Sequence, residues 1–243
     1  MSSISRLRWL FRQYCLVAIL CVSFALPLCA QQALTHYLPA GKPDAMSLLP
    51  PPPLAGSPEQ AADMQEVREV SQAAPANDVA VAFTEKEFTI FNFTPEIGPF
   101  FQPGKFPKTE AFMRSVQHDA ETVTDHAKNY WKRPRPFMID PTLAKGKLEK
   151  SFSYPSGHST ESMVLALVLA DLFPEHRDAI IAEARTIGWH RVEIARHYPT
   201  DIYAGRVLAQ AIVRQMRENP DYQHDFATAQ AEIAAAQVAA KSN

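Results

Sequence analysis

Cysteine is nearly absent from this 243-residue sequence: Cys15, Cys21 and Cys29 are the only three, and all precede Gln31. From residue 31 onward there is no thiol, which excludes a cysteine nucleophile, a zinc–thiolate site and any disulfide in that part of the chain. Long apolar runs are also missing past the first thirty residues. The longest, 163–170, has eight residues, against the roughly 20 needed to span a bilayer. Excess positive charge is absent too. The formal net charge is -2, so no global basic field points to nucleic acid or to an anionic membrane surface. The partner these absences leave is a small molecule.

The first thirty residues read as a secretory signal. Arg6, Arg8 and Arg12 form a basic start, residues 14–28 an apolar run, and Cys29-Ala30 a small-residue cleavage site. Its alternative is an uncleaved anchor, for which the run is short. The expected location is therefore exported, periplasmic or secreted, with no stable membrane insertion after cleavage. Removing this segment lowers Lys+Arg from 24 to 21 against 26 acids, a formal charge of -5.

Residues 31–57 are proline-rich, with four prolines in a row at 50–53, and show no sustained period. They are expected as an arm, either a linker or a segment packed on the domain or on a neighbouring subunit. From 58 to 243 the pattern is helical. Helices are expected over 58–73, 107–131, 158–172, 174–196, 199–218 and 221–240, several opening on a proline, whose missing N–H costs least at a helix start. Residues 79–93 alternate as a strand would, yet a lone strand has no partner. The expected fold class is all-α, a single-domain helical bundle around a central apolar helix, about 158–172, that is hydrophobic on every face. The arm and the amphipathic tail are the segments on which a homo-oligomer would be built.

Three segments carry chemistry. In Lys128-Asn-Tyr-Trp-Lys-Arg-Pro-Arg135-Pro136 the prolines end a helix, leaving Lys128 in its last turn and Arg135 in the exit loop, free to converge on an anion. Cations at a helix C-terminus are otherwise simple dipole complements. In Ser153-Tyr-Pro155-Ser156-Gly157-His158 a helix start exposes unpaired N–H groups, and Gly157 lets an oxyanion approach the backbone. The plainer alternative is a serine-capped helix with His158 facing solvent. In Arg191-Val-Glu-Ile-Ala-Arg-His197-Tyr-Pro-Thr-Asp201 the carboxylate four residues on can accept the Nδ1 proton of His197 and leave Nε2 as a free lone pair; such a pair is otherwise a local hydrogen bond.

In conjunction, Lys-x6-Arg-Pro, Pro-Ser-Gly-His and Arg-x5-His-x3-Asp resemble the signature of the type 2 phosphatidic acid phosphatase superfamily, which also includes vanadium haloperoxidases. The nearest resemblance is to class A bacterial non-specific acid phosphatases, and it extends to the Tyr-Trp and Arg-Pro-Phe surroundings of the first motif. The motif region covers about a third of the chain. His190 departs from the pattern, since the third motif of that family usually opens Ser-Arg.

The resemblance implies hydrolysis of small phosphate monoesters through a phosphohistidine, with transphosphorylation where an alcohol replaces water, and with no metal or cofactor. It gives His197 as nucleophile, Asp201 as its orienting carboxylate and His158 as acid and base. Lys128, Arg135, Arg191, Ser156 and Gly157 would bind the phosphoryl oxygens. An acidic pH optimum follows if protonated His158 must coexist with neutral His197. The competing readings are a vanadium-dependent haloperoxidase and a non-catalytic phosphate-binding helical protein. The phosphatase reading predicts that p-nitrophenyl phosphate is hydrolysed in the presence of a chelator and that vanadate loading yields no bromide oxidation; the opposite pair of results favours the haloperoxidase.

Overall fold

Prolines stand at the first position of five helices of this computed structural model: Pro58, Pro107, Pro136, Pro199 and Pro220. The structure describes residues 34–241; the expected signal segment and all three cysteines lie outside them. The helices are α1 (Ala45–Leu48), α2 (Pro58–Ala73), α3 (Ala76–Thr84), α4 (Thr94–Ile97), α5 (Pro107–Trp131), α6 (Pro136–Ile139), α7 (Gly157–Leu172), α8 (Arg177–Glu193), α9 (Pro199–Met216) and α10 (Pro220–Lys241). Among the described residues there is no strand. The alternating stretch 79–93 folds instead as the end of α3 followed by two 3-10 turns, Glu85–Glu87 and Ile90–Phe93.

The central helix is α7, which packs against α5, α8 and α9. Val164, Leu165, Ala166, Val168 and Leu169 are all fully buried, so side chains from every face of the helix contribute to the core. Among the described residues no helix is long and apolar enough to cross a membrane. The helix expected over 174–196 differs most from its expected bounds, at both ends. Residues 174–176 form a 3-10 turn before α8 begins at Arg177, and α8 stops at Glu193 rather than at 196. It stops because Ala195 takes a left-handed φ of 54°. The amides of Arg196 and His197 then both fold back on the Arg191 carbonyl, at 2.8 and 3.2 Å.

The described part of the expected arm packs against the helices. The amides of His36, Tyr37 and Leu38 donate to the buried Asp119 carboxylate of α5 at 2.6, 2.7 and 3.2 Å. Three N–H donors satisfy a carboxylate that would be costly to bury alone. The Tyr37 hydroxyl donates to Asp225 of α10 at 2.8 Å, and Tyr154 donates to the Pro50 carbonyl at 2.6 Å. Residues from Thr35 onward form one compact unit, so packing continues across residue 58.

Close approach of α9 to the start of α7 depends on Gly205. A Cβ there would lie 2.9 Å from the Ser156 carbonyl oxygen and 3.0 Å from the Ser159 Cβ. Alanine gains about 1 kcal/mol over glycine in a helix interior, but the clash is with backbone that cannot move aside cheaply. Gly205→Ala is therefore expected to destabilise the fold by about 1–3 kcal/mol, as overpacked core positions do; a rise in the urea midpoint would contradict this.

Candidate active site

The three motif segments meet at one cavity of about 430 Å³, whose wall includes Lys128, Arg135, Gly157, His158, Arg191 and His197. Lys128 sits in the last turn of α5, which the left-handed Lys132 (φ 49°) closes. Gly157 opens α7 beneath it. A Cβ at Gly157 would be 3.2 Å from Lys128 Nζ, so glycine is what lets the ammonium lie against the helix start. Arg135 follows the helix exit, anchored by its Nε to the Ser151 carbonyl at 2.7 Å and by Nη2 to the Ser151 hydroxyl at 3.0 Å.

Arg135 also fixes the state of His197. Its Nη1 lies 3.0 Å from His197 Nε2. A guanidinium only donates, so Nε2 must accept and carry the lone pair. The proton of the neutral ring is then on Nδ1, which faces Asp201 Oδ2 at 3.2 Å. Burial first, and the Arg135 charge second, push the His197 pKa down to about 3, so the ring is neutral across the physiological range.

Asp201 lies behind His197, fully buried. Besides the imidazole, its carboxylate accepts from Ser153 Oγ at 2.5 Å, the Tyr198 amide at 3.0 Å and Arg133 Nη1 at 2.6 Å. Burial raises its pKa, but the His197 hydrogen bond and the Arg133 charge outweigh that and hold it at about 2. Arg133 itself is clamped on the far side by Asp63 Oδ2 at 2.6 Å and Gln60 Oε1 at 2.7 Å, both from α2, and it lies 3.8 Å from the Tyr198 ring centroid.

Arg191 comes from the last turn of α8. It donates Nη2 to the Ala82 carbonyl, and its buried Nε has no hydrogen-bond partner among the described residues. Burial lowers its pKa to about 10. Burial also lowers Lys128 and Arg135, and the charge of Arg135 presses Lys128 further down. Cations that weaken one another across a shared cavity form a site short of negative charge, suited to an anion. His158, partly exposed on the cavity wall, donates Nε2 to the Glu85 carbonyl at 3.1 Å. Its pKa is held well below the ordinary value by burial, then by Arg191 and His197.

One expected contact is placed otherwise. Ser156 is not in the cavity wall. Its amide donates to the Asp201 carbonyl at 3.1 Å, and its hydroxyl accepts from the Ser159 amide at 3.4 Å as the cap of α7. The amide that would have served the cradle is used to join α7 to α9. Sequence reasoning also missed three residues. Arg133 stands inside the first motif but has no local signal, because its partners are some seventy residues away, Gln60 and Asp63 before it and Asp201 after it. Arg196 was passed over although it lines the cavity, where it pairs with Glu149 at 2.7 Å and donates to the Lys147 carbonyl at 3.0 Å. Glu85 stands in the alternating stretch 79–93, where nothing in the sequence points to its partner His190 on α8.

Removing Arg133 would leave two buried carboxylates without their cation. Arg133→Ala is expected to cost about 3–5 kcal/mol of stability, the usual penalty for breaking a buried pair from one side. Denaturant unfolding checks it, and a loss below about 1 kcal/mol, typical of an exposed pair, would contradict the network.

The PAP2 superfamily model matches residues 119–223, which include the site residues just described except Gln60, Asp63, Ala82 and Glu85. An acid phosphatase of Zymomonas mobilis is 28% identical over 206 residues, covering 81% of this chain and 78% of that protein. A non-specific acid phosphatase of Providencia stuartii is 29% identical over 206 residues, covering 79% of this chain and 81% of that protein. Among solved structures, a bacterial vanadium-dependent iodoperoxidase matches with a TM-score of 0.54 at 17% identity, over 72% of this chain and 53% of that one; at that identity the likeness is one of fold. With the motif region inside the family match, residues 119–223 carry a PAP2 superfamily domain, in a chain similar to acid phosphatases along most of its length.

Proposed function

We propose that this protein is an exported acid phosphatase that hydrolyses small phosphate monoesters through a covalent intermediate on His197. The observation that carries the reading is the state of the His197 ring, whose Nε2 lone pair faces the cationic cavity while Nδ1 is tied to Asp201. A neutral, oriented imidazole beside a cation cluster is what attack on a phosphoryl group requires. The acid phosphatases similar to this chain over most of its length support the substrate class. Export rests on the first thirty residues alone.

In this reading the phosphoryl oxygens take the donors of Lys128, Arg135, Arg191 and the Gly157 amide, so Arg135 turns from His197 Nε2 to the substrate. Nε2 attacks phosphorus, the Nε2–P bond forms and the ester P–O bond breaks. Asp201 stabilises the positive charge that develops on the ring. His158 has Nε2–H committed to the Glu85 carbonyl, which leaves Nδ1 to hand its proton to the departing oxygen. Water, deprotonated by His158, then breaks the P–N bond and releases phosphate. An alcohol in place of water gives phosphoryl transfer. With the cavity empty, the surrounding cations disfavour protonated His158. A bound dianion reverses that field and raises the pKa of the acid in the complex, which reconciles a depressed free-enzyme value with general-acid duty.

Rapid mixing with 32P-labelled substrate, quenched in alkaline denaturant because a P–N bond is acid-labile, is expected to trap label on the wild-type chain and none on His197→Ala. Turnover by that variant should fall by roughly four to six orders of magnitude, as when a nucleophile is removed elsewhere. For an alkyl ester kcat should also decline as pH rises, and it should do so above the pH at which kcat/KM declines. Label retained on His197→Ala would overturn the assignment.

A further inference from the structure

The segment 82–88 borders the cavity and is held at three points. Arg191 donates to the Ala82 carbonyl, His190 Nδ1 lies 2.8 and 2.9 Å from the two carboxylate oxygens of Glu85, and the Phe88 ring lies against His158 at 5.5 Å between centroids. Glu85 is 2% exposed and His190 6%, so the pair is shielded from water. The backbone carbonyl of that same Glu85 receives His158 Nε2 at 3.1 Å. A carbonyl only accepts, so this contact selects the ring form with its proton on Nε2 and aims Nδ1 at the leaving oxygen.

We infer that Glu85, gripped through its side chain by His190 of α8, is a positioning residue for His158 and sets how well the enzyme cleaves esters of poor leaving groups. This rests on the reading of His158 as general acid. The grip joins two elements: α8, where His190 immediately precedes Arg191, and the turn that follows α3. His190 is where the sequence departs from the usual Ser-Arg opening. In this chain an imidazole at that position reaches a carboxylate 105 residues earlier. Burial disfavours its charge, but the Glu85 hydrogen bond and the charges of Glu85, Glu193 and Glu183 outweigh that and raise its pKa. Arg191, on the same turn, points to Ala82 instead. His190 therefore keeps its proton to higher pH than a free imidazole would, and its hydrogen bonds to Glu85 hold the backbone carbonyl that faces His158.

A pair that merely fastened α3 to α8 would have the same distances, so the test must read proton donation. Esters of 2,4-dinitrophenol expel their leaving group without a proton, whereas alkyl phosphates need one. For His190→Ser and Glu85→Gln, kcat/KM on ethyl phosphate, which reads P–O cleavage and not the later hydrolysis that His158 serves as base, is expected to fall by about 10- to 100-fold, the scale of a misplaced catalytic group. On 2,4-dinitrophenyl phosphate it should stay within about twofold. His190→Gln, which keeps a neutral N–H donor toward Glu85, should recover part of the loss, and phosphate inhibition constants measured on each variant verify that the cavity has survived. Equal losses on both esters, or no loss on either, would overturn the inference. His158→Ala is the reference arm: should it lack leaving-group dependence, the acid assignment fails and this inference with it, whereas dependence in His158→Ala but not in the His190 and Glu85 variants rejects this inference alone.

Discussion

A single carboxylate, wholly shut off from water, joins most of what this fold brings together. Asp201 binds the nucleophile candidate through one oxygen and the Arg133 guanidinium through the other, and its own carbonyl receives the Ser156 amide at the start of α7. Arg133 extends the linkage to Asp63 and Gln60 on α2. Four separate stretches of chain thus meet around one buried charge. Such a group is stable only if every lone pair is matched. The residues that hold the imidazole in register are for that reason also residues that hold the helices together, and the chemistry of the site cannot be loosened without loosening the fold.

Much of this was legible in the sequence, for reasons that can be traced to particular residues. Pro58, Pro107 and Pro199 each open a helix at its first position, as the missing N–H favours. The uninterrupted apolar stretch after His158 named the central helix because no amphipathic face could be drawn on it. The His197–Asp201 pairing was readable from a four-residue spacing alone. What could not be read depends on long-range geometry. Ala195 carries no mark of a left-handed backbone, so the end of α8 was placed three residues late. Residues 79–93 form the end of α3 and two 3-10 turns, which a short alternating period does not distinguish from a strand. Ser156 has the composition of an oxyanion cradle, but only the coordinates show its amide spent on Asp201. Arg133 and Glu85 take their meaning from partners on other helices.

The electrostatics of the cavity follow one logic. Lys128, Arg135 and Arg191 are each held below their ordinary pKa, with burial the chief cause in all three. Keeping cations together in a partly dry pocket is unfavourable, and the unfavourable energy is released when a dianion enters. Glu149 and Glu85 stand at the edges, paired with Arg196 and His190 rather than with the three central cations. That arrangement keeps negative charge near enough to stabilise the fold and leaves the centre for a ligand.

The start of α5 shows how the same economy extends to the order of assembly. The amides of Lys108 and Thr109 are capped by Glu232 of α10, at 3.1 and 2.8 Å, while Asp119 farther along the helix takes the amides of residues 36–38. The helix that delivers Lys128 is therefore finished by pieces on either side of it in the chain, one of them more than a hundred residues downstream. A polypeptide emerging N-terminus first displays every motif residue before the cap for α5 exists. Completion of the cationic pocket is thus tied to the late arrival of a helix that contributes nothing to the chemistry, and a nascent or truncated chain lacking α10 would hold its anion-binding groups on an unanchored support.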